Sequence, residues 1–413
     1  MTIHTQVVQC QLSSISFQDS DFPSISDHGT SEALQKAAKL LHELKPVAFP
    51  TETVYGLGAL ALNSTAASRI FSTKGRPPDN PLIVHVSSHA MLARLLPADY
   101  TPSPLYQLLM KRFWPGALTL LFPSDGKLVP PIITANQPTV AIRMPSHPVA
   151  RALIAVADAP VAAPSANSSG KPSPTRAEHV ARDLEGKIEL VLDGGACGVG
   201  LESTVVDGLH EDGNLRVLRP GGITVEDIEQ AILEELGDAA DVPKVLVHRR
   251  DYADKALEEA PTTPGMKYRH YSPSVPVILV HTSSSPPEGI VSLTMTSFVD
   301  SLRGRRSESS PLTVGLLLPS DSPLHASLTK ENGMKWVSYP LGPVAEPSVT
   351  AQRLFDGLLT LEKDGVDLIL IEEVREEREG LAVMNRAKKA AGESAWIRLE
   401  AVDHSSPLVG PRT

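Results

Sequence analysis

The stretch PVAFPTETVYGLGALAL, residues 46–62, joins an apolar segment directly to a polar one. PVAFP predicts a short buried strand, because its apolar residues form a continuous run. The next residues bring two threonines, a glutamate, a tyrosine and two glycines together. A simple turn requires fewer polar groups than this, so the question is what these side chains face.

Short apolar runs alternate with helical periodicity on both sides of this stretch, from about residue 30 to about residue 225. The alternation predicts an α/β domain of about 200 residues with a mixed, twisted sheet. Further strands are predicted at PLIVHV, ALTLLF, TVAIRM, PVAAP, IELVLD, STVVDG and LRVLRP, and helices at residues 65–73, 88–96, 103–111, 147–157, 176–182 and 224–236.

The composition changes near Gly237, where a second region begins. Residues 238–274 are charged and then interrupted by proline and glycine, which is typical of a linker. Beyond them, VPVILVH, TVGLLLP and VDLILIEEV read as buried strands separated by a helix from about Ser348, which predicts a smaller, Rossmann-like parallel α/β domain. The predicted organisation is an N-terminal extension (1–28), a first domain (29–237), a linker (238–274) and a second domain (275–405), with a polar surface loop at 303–311.

Composition and charge exclude several classes of protein. The 413 residues carry a net charge of -10, which argues against a protein that coats long nucleic acids through many phosphate contacts. The two cysteines give neither a disulfide framework nor a zinc motif, and no apolar run approaches the roughly 20 residues that span a bilayer. Without a recognisable secretory signal or mitochondrial presequence, the chain is expected in the cytoplasm.

Four cationic side chains lie next to predicted apolar strands. Lys74 and Arg76 stand in KGRPPDNPLIVHV, where prolines stiffen the segment, and the pair is suited to clamp a phosphate. Arg143 lies near the end of TVAIRM, and Arg219 follows another strand. Each has a simpler explanation: a solvated turn for Lys74 and Arg76, a salt bridge to a buried carboxylate for Arg143, and a surface charge for Arg219.

Two further segments are rich in small or polar residues. PVAAPSANSSGKPSPT, residues 160–175, leads a strand of small residues into serines and an asparagine, which suits a close approach to a ligand but also an ordinary turn. DGGACGVGLESTVVDG, residues 193–208, has glycines but matches neither the P-loop nor the dinucleotide-binding motif. The histidines form no zinc-binding set.

Taken together, these features indicate a ligand site at the strand ends of the first domain, where ligands of open α/β sheets collect. Lys74, Arg76, Arg143 and Arg219 accompany many hydroxyl groups, but no nucleophile or general base is evident. Such a set suits a polyanion bound beside a small polar molecule, with catalysis by positioning and charge neutralisation.

Six of these motifs closely resemble the YrdC-like domain of threonylcarbamoyl-AMP synthases. They are FPTETVYGLG, KGRPPDNPL, FWPGALT, TVAIRMP, APSANSSGKPSPT and LESTVV. The combination of Lys74 and Arg76 with Ser165 and Asn167 is the signature of that family. PGMKYRHYSP, LILIEEV and VMNRAKKAA resemble the two-domain form, in which the linker folds over the cleft as a lid. The resemblance covers about residues 30–400 in the same order.

The resemblance implies a nucleotidyltransferase, an L-threonylcarbamoyladenylate synthase that makes threonylcarbamoyl-AMP and pyrophosphate from L-threonine, bicarbonate and ATP. A tRNA threonylcarbamoyl-transferase complex would then move the product to the adenosine beside the anticodon. Mg²⁺ is expected to be bound by ATP and not by side chains of the protein. Weak binding of RNA by this protein is left open, and no association with a membrane is expected. The hydroxyls after VAFP would form one wall of the amino-acid site.

The resemblance also assigns roles to residues of this chain. Lys74, Arg76, Ser165 and Asn167 would be catalytic. The ATP site would consist of Lys74, Arg76, Asn80, Thr139, Ser165, Ser173, Arg219 and Tyr271, and the threonine site of Thr51, Thr53, His85, Arg143, Ala163 and Ser203.

Two alternatives stay open at this point. One is a carbamoyl-adenylate-forming enzyme that uses carbamoyl phosphate, although the acylphosphatase and zinc-finger modules of such proteins are absent from this sequence. The other is a protein that binds double-stranded RNA or tRNA in a cationic cleft without catalysis. The acidic net charge counts against it, but charge is a local property.

Overall fold

The structure is a computed structural model that describes residues 3–18, 21–237, 242–254, 262, 270–305 and 311–399. About half of the predicted linker 238–274, part of the predicted surface loop 303–311 and the end of the predicted second domain lie outside the described residues. Within the described residues, the chain forms a large mixed sheet and a separate parallel sheet, which confirms the predicted fold class.

The first domain contains thirteen strands in the described part of the chain. In chain order they are β1 (Gln6–Gln9), β2 (Ile15–Ser16), β3 (Ser24–Ile25), β4 (Val47–Phe49), β5 (Gly56–Leu60), β6 (Val84–His85), β7 (Leu118–Pro123), β8 (Thr139–Arg143), β9 (Val161–Ala162), β10 (Leu190–Asp193), β11 (Thr204–Asp207), β12 (Leu215–Arg219) and β13 (Val245–Val247).

Eleven of these strands form one sheet in the order β1-β10-β4-β5-β9-β6-β8-β7-β11-β12-β13. Parallel pairs such as β6 with β8 alternate with antiparallel pairs such as β7 with β8, so the sheet is mixed as predicted. Two edge strands come from segments that were expected outside the domain. β1 lies in the predicted N-terminal extension, and β13 lies in the predicted linker.

Helices of the first domain cover the sheet and agree closely with the predicted positions. Their N-terminal caps explain where several begin: Asp27 accepts from the backbone N–H of Thr30, and Asn63 from that of Ala66. The helices are α1 (His28–His42), α2 (Ser64–Lys74), α3 (His89–Ala93), α4 (Pro104–Phe113), α5 (Pro131–Thr134), α6 (Pro148–Ala157), α7 (Ala177–Leu184) and α8 (Val225–Leu236).

The second domain is a six-stranded parallel sheet with helices between its strands. Its strands are β14 (Val277–His281), β15 (Leu293–Thr294), β16 (Leu312–Leu317), β17 (Met334–Ser338), β18 (Leu368–Glu372) and β19 (Glu393–Arg398), in the order β15-β19-β14-β18-β16-β17. Its helices are α9 (Met295–Arg303), α10 (Pro323–Thr329), α11 (Pro347–Lys363) and α12 (Glu379–Ala390). β14 and β18 are buried along their whole length, as expected for central parallel strands.

Three strands of the first sheet run in the same direction and end in a polar side chain. β6 ends at His85, β8 at Arg143 and β12 at Arg219. β6 and β8 are parallel neighbours that pair His85 with Arg143, and β12 has the same direction through β11 and β7. These three side chains therefore lie at the same end of the sheet, where β6, β8 and β12 finish.

The two domains share a hydrophobic core. Val54, Leu201 and Tyr271 pack in one cluster with residues of α11 such as Phe355. Gly200 lies against α11 so closely that a Cβ atom there would be 2.4 Å from the Cα of Gln352. Its φ of +76° is also a value that residues with a side chain rarely adopt.

Replacing Gly200 by alanine is expected to destabilise the protein. The new Cβ would meet backbone and would strain the left-handed conformation, which together cost roughly 2 kcal/mol or more. Gly198→Ala is the control, because a Cβ at Gly198 meets no atom within 4 Å. Thermal unfolding should show a midpoint several degrees lower for Gly200→Ala only, and equal midpoints would contradict the close domain contact.

Candidate active site

One cavity lies where the strand ends of the first domain meet the segment that leads into the second domain. Its wall contains three arginines, one glutamate, two histidines and several hydroxyl groups. The lining residues are Thr53, Val54, Arg76, Ile83, His85, Arg143, Ala163, Pro164, Ser165, Glu202, Ser203, Arg219, His270 and Tyr271.

Arg143 is held on three sides inside this cavity. Its Nε donates to Nε2 of His85 at 2.9 Å, Nη2 to the Thr53 hydroxyl at 3.0 Å, and Nη1 to Oε1 of Glu52. A guanidinium has five N–H groups, so two remain available for a ligand. The predicted alternative of a salt bridge is thus present, and it coexists with a place in the cavity wall.

Glu52 was not predicted as a site residue, although it lies in the opening stretch. Its Oε2 accepts from the backbone N–H groups of Ser146 at 3.0 Å and His147 at 3.4 Å. Since Oε1 pairs with Arg143, the carboxylate joins the turn after β4 to the turn after β8. Glu52 therefore fixes the direction of the Arg143 side chain.

His85 is a neutral hydrogen-bond acceptor in this arrangement. Its Nε2 accepts from Arg143, and its Nδ1 lies 3.2 Å from the carbonyl oxygen of Ile83, which identifies Nδ1 as the protonated nitrogen. Burial, and then the charge of Arg143, hold the pKa of His85 well below its usual value. The hydroxyls of Thr51 and Thr53 are hydrogen-bonded to each other at 2.7 Å, and Thr53 turns its hydroxyl toward Arg143.

Lys74 lies directly behind the cavity wall and holds the loop of Ser165 and Asn167. Its ammonium group donates to the backbone carbonyl oxygens of both residues and lies 3.5 Å from the Asn167 Oδ1. Burial, and then the charge of Arg76, lower its pKa well below the usual value. Gly75 ends α2 with a φ of +62°, so the chain turns sharply between Lys74 and Arg76.

Arg76 and Arg219 are both anchored by backbone oxygens. Arg76 donates to the carbonyl oxygens of Asn80 and Pro81, and burial lowers its pKa to about 10. Arg219 donates to the carbonyl oxygen of Ser203 at 2.8 Å and to its hydroxyl at 3.2 Å. Burial also lowers the pKa of Arg219. Carbonyl oxygens offset the burial of both cations without neutralising their charge.

Glu202 is a second carboxylate that the sequence did not single out. Its Oε1 accepts from the Ser173 hydroxyl at 2.6 Å, and its Oε2 lies 3.1 Å from both Nε and Nη2 of Arg386 on α12. Burial by itself would raise the pKa of Glu202, but Arg386, Arg219 and the Ser173 hydroxyl together lower it. The second domain thus reaches the cavity through an ion pair.

Tyr271 and His270 come from the end of the predicted linker and close one side of the cavity. The Tyr271 ring packs on Phe355 of α11 with centroids 5.1 Å apart. The backbone N–H of the next residue, Ser272, donates to the carbonyl oxygen of Gly170. The segment is therefore tied to both domains.

The structure brings most of the predicted site residues together. Nine of them line the cavity, namely Thr53, Arg76, His85, Arg143, Ala163, Ser165, Ser203, Arg219 and Tyr271. Five others lie behind the wall and contact lining residues or their loop: Thr51, Lys74, Asn80, Asn167 and Ser173.

Thr139 stands apart from this group. It begins β8, which ends in Arg143, so about 13 Å of strand separate the two residues. Its hydroxyl is buried and has no hydrogen-bond partner among the described residues. A buried hydroxyl in that state can donate to a ligand that extends along β8.

No cluster of three or more acidic, histidine or cysteine side chains suited to a metal ion occurs among the described residues. Both cysteines are buried and unpaired. Across the described ranges, no helix has the length and apolar character that crossing a bilayer requires.

Comparison with known protein families gives two matches that together cover most of the chain. The family described as "Telomere recombination" matches residues 39–221. The family described as "Threonylcarbamoyl-AMP synthase, C-terminal domain" matches residues 223–392.

Curated relatives named threonylcarbamoyl-AMP synthase match over nearly their whole length. The chain is 41% identical to the one from Schizosaccharomyces pombe, over 94% of this chain and 96% of the relative. It is 43% identical to the one from Bacillus subtilis, over 87% of this chain and 93% of the relative. The crystal structure of Pyrococcus abyssi Sua5 with L-threonine is 38% identical, covers 96% of this chain and 100% of its own, and superposes with a TM-score of 0.73.

The neutral state of His85 predicts a measurable acid sensitivity. Unfolded histidine takes up a proton below a pH of about 6.5, whereas folded His85 resists protonation, so stability is lost as the pH falls below about 6.5. Between pH 7 and pH 5 the loss amounts to about 2 kcal/mol for one such residue. Urea unfolding at both pH values should show that the free energy of unfolding of His85→Gln falls by about 2 kcal/mol less than that of the wild type between pH 7 and pH 5.

His28→Gln serves as the control, because the His28 side chain is 87% exposed. It should keep the pH dependence of the wild type. If the free energy of unfolding of both variants depended on pH in the same way, His85 would have to take up a proton as readily in the folded protein as in the unfolded chain.

Proposed function

Since the chain belongs to the threonylcarbamoyl-AMP synthase family, in its two-domain form, we propose that it is a nucleotidyltransferase that condenses L-threonine, bicarbonate and ATP. The products are threonylcarbamoyl-AMP, pyrophosphate and water. The convergence of Arg76, Arg143 and Arg219 in one cavity supports this proposal most strongly. Two anionic groups, a carboxylate and a triphosphate, have to lie side by side in such a reaction.

Threonine occupies the Arg143 side of the cavity in this proposal. The two remaining N–H groups of Arg143 bind its carboxylate, a contact that charge makes stronger than a neutral hydrogen bond. His85, Thr53 and Ser203 are close enough to surround the amino acid, and Ala163 leaves room for it. Thr51 supports Thr53 through the bond between their hydroxyls.

ATP occupies the other side, where Arg76 and Arg219 stand. Their guanidinium groups neutralise the triphosphate, and Asn80, Ser165 and Ser173 supply neutral hydrogen-bonding groups. Tyr271 covers the nucleotide from the linker, and the hydroxyl of Thr139 is a further contact along β8. Of the predicted ATP residues, Lys74 acts in this proposal from behind the wall, through the loop of Ser165 and Asn167.

The chemical step requires little from a general acid or base. The threonine amine takes up bicarbonate or CO₂ to form a carbamate, whose oxygen attacks the α-phosphate while pyrophosphate leaves in line. Charge builds up on phosphate oxygens, where preorganised cations lower the barrier. Lys74 and Asn167 keep the Ser165 loop in place beside that step.

ATP enters as its magnesium complex, and the metal supplies charge neutralisation on the phosphates. Glu202 is the acidic side chain of the cavity wall, and it is already engaged by Ser173 and Arg386. We therefore propose that the triphosphate, rather than protein carboxylates, holds this metal.

The product is a reactive mixed anhydride that has to pass to a further enzyme. We propose a tRNA threonylcarbamoyl-transferase complex as that recipient, with the adenosine beside the anticodon as the final acceptor. We also propose that the reaction takes place in the cytoplasm, a reducing compartment in which Cys10 and Cys197 stay as free thiols.

Pyrophosphate release tests the proposal directly. The protein should release pyrophosphate from ATP only when L-threonine and bicarbonate are both present. Release that depends on carbamoyl phosphate instead would support a carbamoyl-adenylate-forming enzyme. A protein that releases none and binds tRNA would support the non-catalytic alternative.

Arg143→Ala should weaken the use of threonine and spare ATP binding. Loss of a bidentate contact to the carboxylate costs about 1.5–3 kcal/mol, which raises the KM for threonine roughly 10–100-fold or more. The measurement is pyrophosphate release at varied threonine, with calorimetric ATP binding as a check on folding. Arg94→Ala is the control, since Arg94 pairs with Asp158 at the surface. An unchanged KM for threonine would remove Arg143 from the amino-acid site.

A further inference from the structure

We infer that Arg386, a residue of the second domain, is a positioning residue for the nucleotide half of the active site. It acts through Glu202, which in turn orients the hydroxyl of Ser173. The inference rests on the proposed function, because it assigns the second domain a part in ATP binding rather than in folding alone.

Arg386 reaches from α12 into the first domain and is completely buried there. Its Nε and Nη2 each lie 3.1 Å from Oε2 of Glu202. Its Nη1 donates to the carbonyl oxygen of Pro220, the residue that directly follows Arg219. One side chain thus holds the two segments that carry Glu202 and Arg219 into the cavity wall.

Glu202 connects Arg386 to Ser173, a residue of the proposed nucleotide site. Its Oε2 faces Arg386, while its Oε1 accepts from the Ser173 hydroxyl at 2.6 Å. Ser173 is almost fully buried, so its hydroxyl has few other partners to choose from. The chain of contacts from Arg386 through Glu202 therefore sets where Ser173 points.

The charge of Arg386 also favours the ionised form of Glu202. The carboxyl group is buried, and burial by itself favours its neutral form. Arg386, 3.1 Å from Oε2, does most to lower its pKa, and Arg219 is the next contributor. The other titratable groups that face Glu202 are Tyr271, His270, Lys389 and Lys74.

A second ion pair between the domains allows a comparison. Arg176 of the first domain donates to Oδ1 of Asp356 on α11 at 2.6 Å. Neither residue lines the cavity. Loss of Arg176, whose side chain is 48% exposed, removes another ion pair between the domains without touching Glu202, so it separates a purely structural effect from a positioning effect.

The experiment compares Arg386→Met, Arg386→Lys and Arg176→Met with the wild type in pyrophosphate release. Arg386→Met should raise the KM for ATP about 10-fold or more and leave the KM for threonine within about 3-fold, since its effect is confined to the nucleotide half. Arg386→Lys should restore part of the ATP affinity, because it returns a positive charge beside Glu202. Arg176→Met should lower the midpoint of thermal unfolding without a selective change in either KM.

The pH profile provides the second readout. In Arg386→Met the pKa of Glu202 should rise, so activity should fall toward acidic pH, whereas the wild type should not show this loss over the same pH range. The double variant Arg386→Met with Glu202→Gln should lack it as well, because no carboxyl group remains to take up the proton.

Equal increases in both KM values, or the same profile in Arg386→Met and Arg176→Met, would overturn the inference. Wild-type protein that releases no pyrophosphate would contradict the proposed function instead. Calorimetric binding of ATP to the same variants would then still decide whether Arg386 positions a nucleotide site, because it does not depend on turnover.

Discussion

The active-site cavity depends on the close packing of like charges away from water. Lys74, Arg76, Arg143 and Arg219 are each at most 9% exposed. Burial lowers the pKa values of Lys74, Arg76 and Arg219; neighbouring positive charges act in the same direction, and nearby acidic groups such as Glu202 oppose them. Such a set is stable only where every cation has oxygen partners, and the fold supplies them as backbone carbonyls of adjoining loops and as two carboxylates. A polyanionic ligand relieves the remaining repulsion, so affinity is built into the free protein.

This constraint explains why the chain has two domains that share a core. Glu202 has to remain charged in a buried place, and the first domain alone offers it Arg219 and the Ser173 hydroxyl. The second domain adds Arg386 and packs Phe355 under Tyr271. Both contacts close the cavity on the proposed nucleotide side, and exclusion of water there would strengthen the charge interactions and protect the proposed product from hydrolysis.

The cations at the strand ends could be predicted from the sequence, but the residues that pair with them could not. Arg143 and Arg219 each end an apolar strand, and a charge in that position is visible in the sequence alone. Glu52 and Arg386 were missed because their partners lie 91 and 184 residues away, and nothing local marks such pairs. β5 was missed for another reason: its two glycines resemble a turn, yet a Cβ at Gly58 would lie 2.5 Å from the Phe49 ring, so glycine is required by packing.

The burial of the cations also bears on the choice between a small ligand and RNA. Binding to duplex or folded RNA relies on lysine and arginine side chains that reach phosphates at the surface. Here the side chains of Arg76, Arg143 and Arg219 point into a cavity and are already tied to carbonyl and carboxylate oxygens. Cations in that position suit small anions that enter a cavity better than a phosphate backbone that runs along a surface. The net charge of -10 on the whole chain likewise disfavours a general affinity for nucleic acid, while a local group of cations such as this one remains compatible with it.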